Sequence, residues 1–257
     1  MRIVRYQTQS EPTPQWGWLS ADRVGPIHGS PFGDFRRGEA VKPLETLRLV
    51  VPVQPSKIVC VGLNYAAHAS ESQLEIPNLP LIFLKPPSAL IGPGDRIVLP
   101  PQSNQVEHEA ELAVIIGMEG RWIPPEAAMQ HVLGYTAAND VTARDLQRQD
   151  GQWTRAKGFD TFCPLGPWIE TDLDPADALI TCYVNGQLRQ MASTRDLTFP
   201  VSQLVAFISS VMTLQAGDVI LTGTPAGVSP LSPGDEVSVE IEGLGALTNP
   251  VRHEGPD

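Results

Sequence analysis

The sequence predicts an α+β protein that is mainly β. Short β-branched or alternating runs recur along the chain, whereas helical stretches are few and never fall into a βαβ rhythm. The 25 prolines and 22 glycines suit the turns of many short strands better than a helical bundle. With 257 residues, 42% of them hydrophobic, the chain can fold as one large domain, or one with a small appendage, around a sizeable core.

The first fifty-odd residues have their own texture. Short β-like runs at 2–6 and 16–19 alternate with turn-rich stretches such as SEPTPQ and HGSPFGDF. The run LVVPVQPSK, with two prolines, reads as a connector, so a boundary is placed near residue 55. That gives a small β-rich N-terminal domain at 1–55 and a main body at 56–257.

The main body opens with KIVCVG, a buried strand, followed by a short helix in NYAAHASES and a strand at LIFLK. Gly-Asp followed by a strand occurs in GDRIVLP and again in GDVILTG (217–223) and GDEVSVE (234–240), which reads as one turn solution used three times. EAELAVIIG is a strand, and PPEAAMQHV a helix with Pro near its start. GYTAANDV is a further strand, running into the helix TARDLQRQD. LITCYVNGQLRQMA is a hairpin around Asn185-Gly186. In PVSQLVAFISSVMTL, Val201, Leu204, Val205, Ile208, Val211 and Met212 share one face of a helix packed on a sheet.

Composition excludes several functions. A formal charge of −11 without a Lys/Arg cluster argues against nucleic acid, whose binding rests on phosphate neutralisation. No apolar run reaches the ~18 residues of a membrane span. The segment MRIVRYQTQSEPTPQ has no apolar core of a cleaved signal, so a cytoplasmic protein is expected. Cys60, Cys163 and Cys182 are widely spaced without a CxxC, which suggests neither a disulfide framework nor a zinc site. GxSxG, the P-loop pattern and GxGxxG after a strand are missing, and His108-Glu109 is not a zincin motif because position 112 is Leu112.

Four constellations could carry chemistry. In EHEAELAVIIG, strand alternation puts Glu109 and Glu111 on one face with Ala113 and Ile115. Two neighbouring carboxylates on a central strand repel each other and need a cation; the plainer reading is a strand with two solvated glutamates. Asp140, at the end of GYTAAND, adds a third carboxylate, unless it only caps the following helix. A capping-box-like pair of Thr142 with Asp145 would leave Asp140 free. Three carboxylates describe Mg²⁺ or Mn²⁺ better than zinc, and Ca²⁺ is a further candidate.

On the helix at 142–149, Arg144 and Gln147 are three apart and share a face, with Lys157 a short loop later. The guanidinium fork suits a substrate carboxylate, and the ammonium suits developing negative charge; each could equally be a solvated surface cation. His68 and Glu71 are also three apart, as a general base and its orienting carboxylate would be, or as an ordinary surface pair. The loop at 222–227, with Thr224, offers hydroxyls and backbone N–H groups for an anion, or is a plain turn.

The segments VGLNYAAHASE, IFLKPPSALIGPGD, EHEAELAVIIG, GYTAANDVTARDLQ, AKGFDTFCPLGP and LTGTPAGV, in this order over roughly 57–251, resemble the fumarylacetoacetate hydrolase family. The resemblance implies a mixed β-sandwich roll of the fumarylacetoacetase C-terminal type, usually assembled as a homodimer. The first fifty-odd residues resemble the small N-terminal domain of many bacterial members. By the resemblance, Glu109, Glu111 and Asp140 are the metal carboxylates. Arg144, Gln147 and Thr224 face the substrate, Lys157 is catalytic, and His68 with Glu71 forms a catalytic pair on a segment that can order as a lid. No position matches the further aspartate ligand of the larger eukaryotic hydrolases. The run DGQWTRAKGFDTFCPLGP looks most like the isomerase and decarboxylase members of homoprotocatechuate-type aromatic catabolism. This implies a small dicarboxylic oxo acid such as 2-hydroxyhepta-2,4-diene-1,7-dioate as substrate. Acylpyruvate and fumarylpyruvate hydrolases and oxaloacetate decarboxylases share nearly the same motifs, and a catalytically silent oxo-acid-binding scaffold is the alternative from outside enzymology.

Overall fold

A computed structural model describes residues 1–255 of the chain; the last two residues of the expected main body lie outside the described ones. Strands dominate, helices are short, and two sheets enclose the principal core, as the α+β, mainly β reading expects. The larger sheet runs, neighbour to neighbour, through Phe35–Arg37, Arg23–Gly29, Gln15–Ser20, Arg2–Gln7, Cys163–Glu170, Val132–Asn139, Ala110–Ile116, Val219–Leu221, Ile58–Gly62 and Leu81–Lys85. The N-terminal strands thus extend the sheet of the main body, with Ile3 opposite Ile169. Along this path only Val219–Leu221 and Ile58–Gly62 pair in parallel. The smaller sheet is Ile97–Leu99, Gly245–His253, Glu236–Ile241, Leu179–Val184 and Gln187–Ser193.

The strand Ala110–Ile116 is buried throughout. Leu112, Val114 and Ile116 join Ile180, Val239 and Leu247 of the smaller sheet in one apolar cluster. Ala113 and Ile115 face the opposite side, packing with Ile3, Leu165 and Ile169. Burial on both faces is why this strand reads as a nearly continuous apolar run. α4 (Val201–Val211) covers the first cluster with Val201, Leu204, Val205 and Ile208.

The turn chemistry is repeated three times. At Asp95, Asp218 and Asp235 the backbone N–H donates to the carbonyl three residues back, and the carboxylate accepts the N–H of that same residue. The preceding Gly94, Gly217 and Gly234 all have φ between 75° and 93°, a region that side chains disfavour. Asn185 and Gly186 close the hairpin at φ 52° and 73°, the pair of positive angles that a two-residue primed turn needs.

Some local expectations differ from the structure. PPEAAMQHV forms only a 3₁₀ turn at Ala128–His131, because Ala127, Ala128 and Gln130 each bond three residues back. Thr142 and Ala143 pair as a short strand with Val106–Glu107, so α2 begins at Arg144 and ends at Asp150. The Thr142–Asp145 box does not form: Thr142 Oγ1 donates to Asp140 O, and Asp145 is occupied by Ser103 and Asn104. Val211, at the edge of the α4 stripe in its last turn, is exposed.

Candidate active site

The register of two central strands assembles the site. Ala110–Ile116 pairs antiparallel with Val132–Asn139, so that Ala110 lies opposite Asn139. The flanking residues are tied as well: Asp140 N donates to Glu109 O (2.8 Å), and Glu109 N donates to Asn139 Oδ1 (2.9 Å). Glu111 lies in Ala110–Ile116 and Glu109 immediately before it, and Asp140 meets them from just past the end of Val132–Asn139. One oxygen from each lies within 4.8 Å of the others, and all three side chains are buried.

Buried carboxylates need counter-charge. Lys157, from α3 (Thr154–Lys157), donates to Glu109 Oε2 and Asp140 Oδ2, both at 2.7 Å. Lys85 donates to Asp140 Oδ1 at 2.6 Å and to Val141 O at 3.2 Å. Arg144 reaches Glu107 Oε2 through Nε (2.8 Å), Glu109 Oε1 through Nη2 (2.5 Å) and Gln147 Oε1 through Nη1 (2.5 Å). Asp140 therefore does not cap α2; its carboxylate is held by two ammonium groups.

The titration of these groups follows from this layout. Burial alone would raise the Glu109 carboxyl, but Lys157, Arg144 and His68 outweigh it and hold the group well below its ordinary value. Glu111 is the reverse: burial, then the charges of Asp140 and Glu109, push it well above. Lys157 and Arg144 are both raised, because their carboxylate neighbours overcome the cost of burial. Glu111 has the Gly223 N–H at 2.7 Å but no side-chain cation in contact among the described residues. Glu107, Glu109, Glu111 and Asp140 thus face Lys85, Arg144 and Lys157, and the uncompensated negative charge falls at Glu111. An all-oxygen donor set with surplus negative charge fits a hard divalent cation, so these three carboxylates could hold a metal ion.

A cavity of about 630 Å³ opens over the carboxylates, and among the described residues its lining includes His68, Glu71, Arg144, Gln147, Lys157 and Thr224. The metal, catalytic and substrate-facing residues expected from the sequence all line this one cavity. α1 (Ala66–Glu71) carries His68, whose Nδ1 is 3.2 Å from Glu71 Oε2. Glu71 Oε1 in turn accepts the Gly227 N–H at 3.0 Å, pinning the helix to the loop after Val219–Leu221.

That loop differs from an anion cradle. The Thr222 and Thr224 hydroxyls donate to the carbonyls of Leu112 and Ala110, and the N–H groups of Gly223 and Gly227 serve Glu111 and Glu71. Its polar groups complete the edge of the neighbouring strand and orient the site's own carboxylates. No cysteine is among the described residues that line this cavity, and burial pushes the thiols of Cys163 and Cys182 up to about 12, which disfavours a nucleophilic thiolate.

Several contributors escaped the sequence reading. Lys85 and Glu107 look like strand residues, yet each is half of a buried ion pair. His108, with Nδ1 near Gln190 Oε1 (3.0 Å) and Nε2 near Ser229 Oγ (2.9 Å), belongs to a network that reaches Thr224 through Gln190 Nε2 (2.8 Å). Burial lowers the His108 pKa, which favours the uncharged ring. The one signal for Lys85 is a lysine closing an otherwise apolar strand, LIFLK.

The fold and this carboxylate cluster place the chain in a family of enzymes. The family profile described as fumarylacetoacetate (FAA) hydrolase C-terminal matches residues 57–252, and a second, described as Rv2993c-like, N-terminal, matches residues 1–52. The chain belongs to the fumarylacetoacetate hydrolase family. Among solved structures it is similar to a 5-carboxymethyl-2-hydroxymuconate delta-isomerase from Mycobacterium smegmatis (47% identity, TM-score 0.91, covering 99% of this chain and 100% of that one). It is likewise similar to a 2-hydroxyhepta-2,4-diene-1,7-dioate isomerase from Mycobacterium marinum (45%, TM-score 0.91, covering 100% of both). A mitochondrial oxaloacetate tautomerase of Bos taurus, FAHD2B, is 46% identical, over 98% of this chain and 91% of that protein.

Proposed function

We propose that the protein is a divalent-metal-dependent enzyme, with Mg²⁺ or Mn²⁺ as the ion, that isomerises or decarboxylates small 2-oxo or 2-hydroxy-enoic dicarboxylic acids. The observation that carries this is the convergence of Glu109, Glu111 and Asp140 with Lys157, Arg144 and the His68–Glu71 pair on one cavity. Glu109, Glu111 and Asp140 would hold the ion, which when bound supplies a chelating centre for the adjacent carboxylate and keto oxygens and stabilises negative charge developing there. Lys157 brings an ammonium to the same place and is kept charged by its neighbours. His68, oriented by Glu71, moves the proton between carbon and solvent. Arg144, Gln147 and Thr224 line the space in which the substrate binds.

Isomerisation and decarboxylation need only charge stabilisation and proton transfer, and this set of groups provides both. The isomerase names of the two solved structures and the tautomerase name of the bovine relative favour isomerisation over C–C hydrolysis. A homodimer in the cytoplasm, acting in the catabolism of aromatic acids, belongs to the same proposal. The test is a panel of 2-hydroxyhepta-2,4-diene-1,7-dioate, its tricarboxylate precursor, oxaloacetate, acylpyruvates and fumarylpyruvate, offered with Mg²⁺ or Mn²⁺ and followed by ultraviolet absorbance, which reads the change in conjugation on isomerisation, together with mass spectrometry. Isomerisation without mass change, or loss of CO₂, is the expected outcome. Addition of water would replace the proposal with a hydrolase, and no turnover of any member would leave a binding scaffold.

A further inference from the structure

Two arginines of α2, Arg144 and Arg148, line the cavity one helical turn apart, and the structure uses them differently. Arg144 directs Nε, Nη1 and Nη2 to protein acceptors, two of them carboxylates. Its charge is matched within the site, and it has little left for a second substrate carboxylate. Among the described residues Arg148 makes a single hydrogen bond, from Nη2 to the neutral amide oxygen of Gln105 at 2.6 Å. No carboxylate forms an ion pair with it among the described residues. Gln105 is itself oriented, because its Nε2 donates to Glu107 Oε1 at 2.7 Å and so turns its oxygen toward Arg148. The cavity wall therefore carries an exposed, unmatched guanidinium, positioned by a neutral side chain, outward from the carboxylate cluster.

At a rise of ~1.5 Å per residue, Arg148 lies about 6 Å along the helix from Arg144. We propose that Arg148, positioned by Gln105, anchors the far carboxylate of the substrate and so selects long dicarboxylates over short ones and over monoacids. A four-carbon 2-oxo diacid has one methylene between its keto carbon and second carboxylate, too few to bridge a helical turn. A seven-carbon diacid has four carbons in that interval and reaches Arg148. A planar guanidinium suits this task, since it can offer two parallel N–H groups to a carboxylate. The inference rests on the proposed chemistry at the carboxylate cluster, which fixes where the near end of the substrate sits.

The test compares two saturated probes differing only at the far end, 2-oxoheptanedioate and 2-oxoheptanoate. Each is titrated calorimetrically into Mg²⁺-loaded protein, wild type and Arg148→Gln, after circular dichroism confirms the variant's fold. The wild type should prefer the diacid about tenfold, equivalent to ~1.4 kcal/mol. The preference should shrink toward unity in Arg148→Gln, return in part in Arg148→Lys, and weaken in high salt. For 2-hydroxyhepta-2,4-diene-1,7-dioate the variant should raise KM more than it lowers kcat. An undiminished preference in Arg148→Gln would overturn the assignment of Arg148 while leaving the proposed function standing. Failure of both probes to bind the wild type would instead remove the oxo-acid reading and this inference with it.

Discussion

Lys85 offers a direct test of how the site's electrostatics are built. Its ammonium and the Asp140 carboxylate are 2.6 Å apart, with side chains 0% and 1% exposed. Replacing it by Met keeps most of the apolar stem but leaves Asp140 a buried charge with only Lys157 beside it. Breaking a buried pair from one side costs about 3–5 kcal/mol. The remaining Lys157 contact places the expected loss at the lower end, about 3 kcal/mol. For a chain of this size that corresponds to a fall in Tm of roughly 6–12 °C. The assay is a thermal melt in EDTA, at matched scan rates, of wild type, Lys85→Met, Asp140→Asn and the double variant. The double variant should lose clearly less than the sum of the singles, because removing both partners leaves no orphaned charge. Saturating Mg²⁺ should narrow the gap for Lys85→Met, since an ion at the carboxylates takes over neutralisation of Asp140. A fall of less than ~3 °C for Lys85→Met, or strict additivity in the cycle, would refute the reasoning.

Three further outcomes are expected. Because Glu111 is held above the ordinary carboxylate value of 4.5, the folded metal-free chain binds more protons there than the unfolded chain between that value and the folded one. Its contribution to stability therefore falls as pH rises through that window; Glu111→Gln should flatten this limb in pH-dependent melts, and an unchanged limb would contradict the assignment. Glu109 acts oppositely, its stabilisation being present above the ordinary value and lost on acidification. Glu71→Gln loosens both His68 and the Gly227 loop, so kcat should fall by on the order of 10²-fold with a smaller change in KM; activity within a factor of two would remove the pair from the mechanism. Gly227 has φ 102°, and a Cβ there would run into the Arg189 carbonyl oxygen, so Gly227→Ala should cost about 1–3 kcal/mol in denaturant unfolding and also lower kcat.

What could be read from the sequence, and what could not, divides by range. The Gly-Asp turns, the Asn185-Gly186 hairpin and the apolar stripe of α4 are local patterns whose backbone demands are met by adjacent residues. The shared face of Glu109 and Glu111 follows from strand alternation alone. Residue chemistry and order, together with the family resemblance, then pointed to one cavity for residues from 68 to 224. Lys85 was hidden because its partner is 55 residues away, and no spacing rule connects a strand-end lysine to an aspartate beyond the next strands. Thr142 misled for a related reason: pairing with Glu107 took its backbone into a strand, and its hydroxyl went to Asp140 O instead of a helix N-terminus. The 124–132 segment has helix-forming residues, but its bonds close three residues back and it stops after one turn. The division of labour between Arg144 and Arg148 was equally invisible, since the carboxylates that satisfy Arg144, Glu107 and Glu109, lie 37 and 35 residues away in the chain.

The most direct measurement is a calorimetric titration of EDTA-stripped protein with Mn²⁺ and Mg²⁺, repeated for Glu111→Gln and Asp140→Asn. The expected result is one site per chain, with proton release on binding that grows as pH is lowered toward the raised Glu111 value. Both variants should bind at least tenfold more weakly. A wild-type protein that takes up no divalent ion, or variants that bind it as tightly as the wild type, would contradict a metal held by Glu109, Glu111 and Asp140.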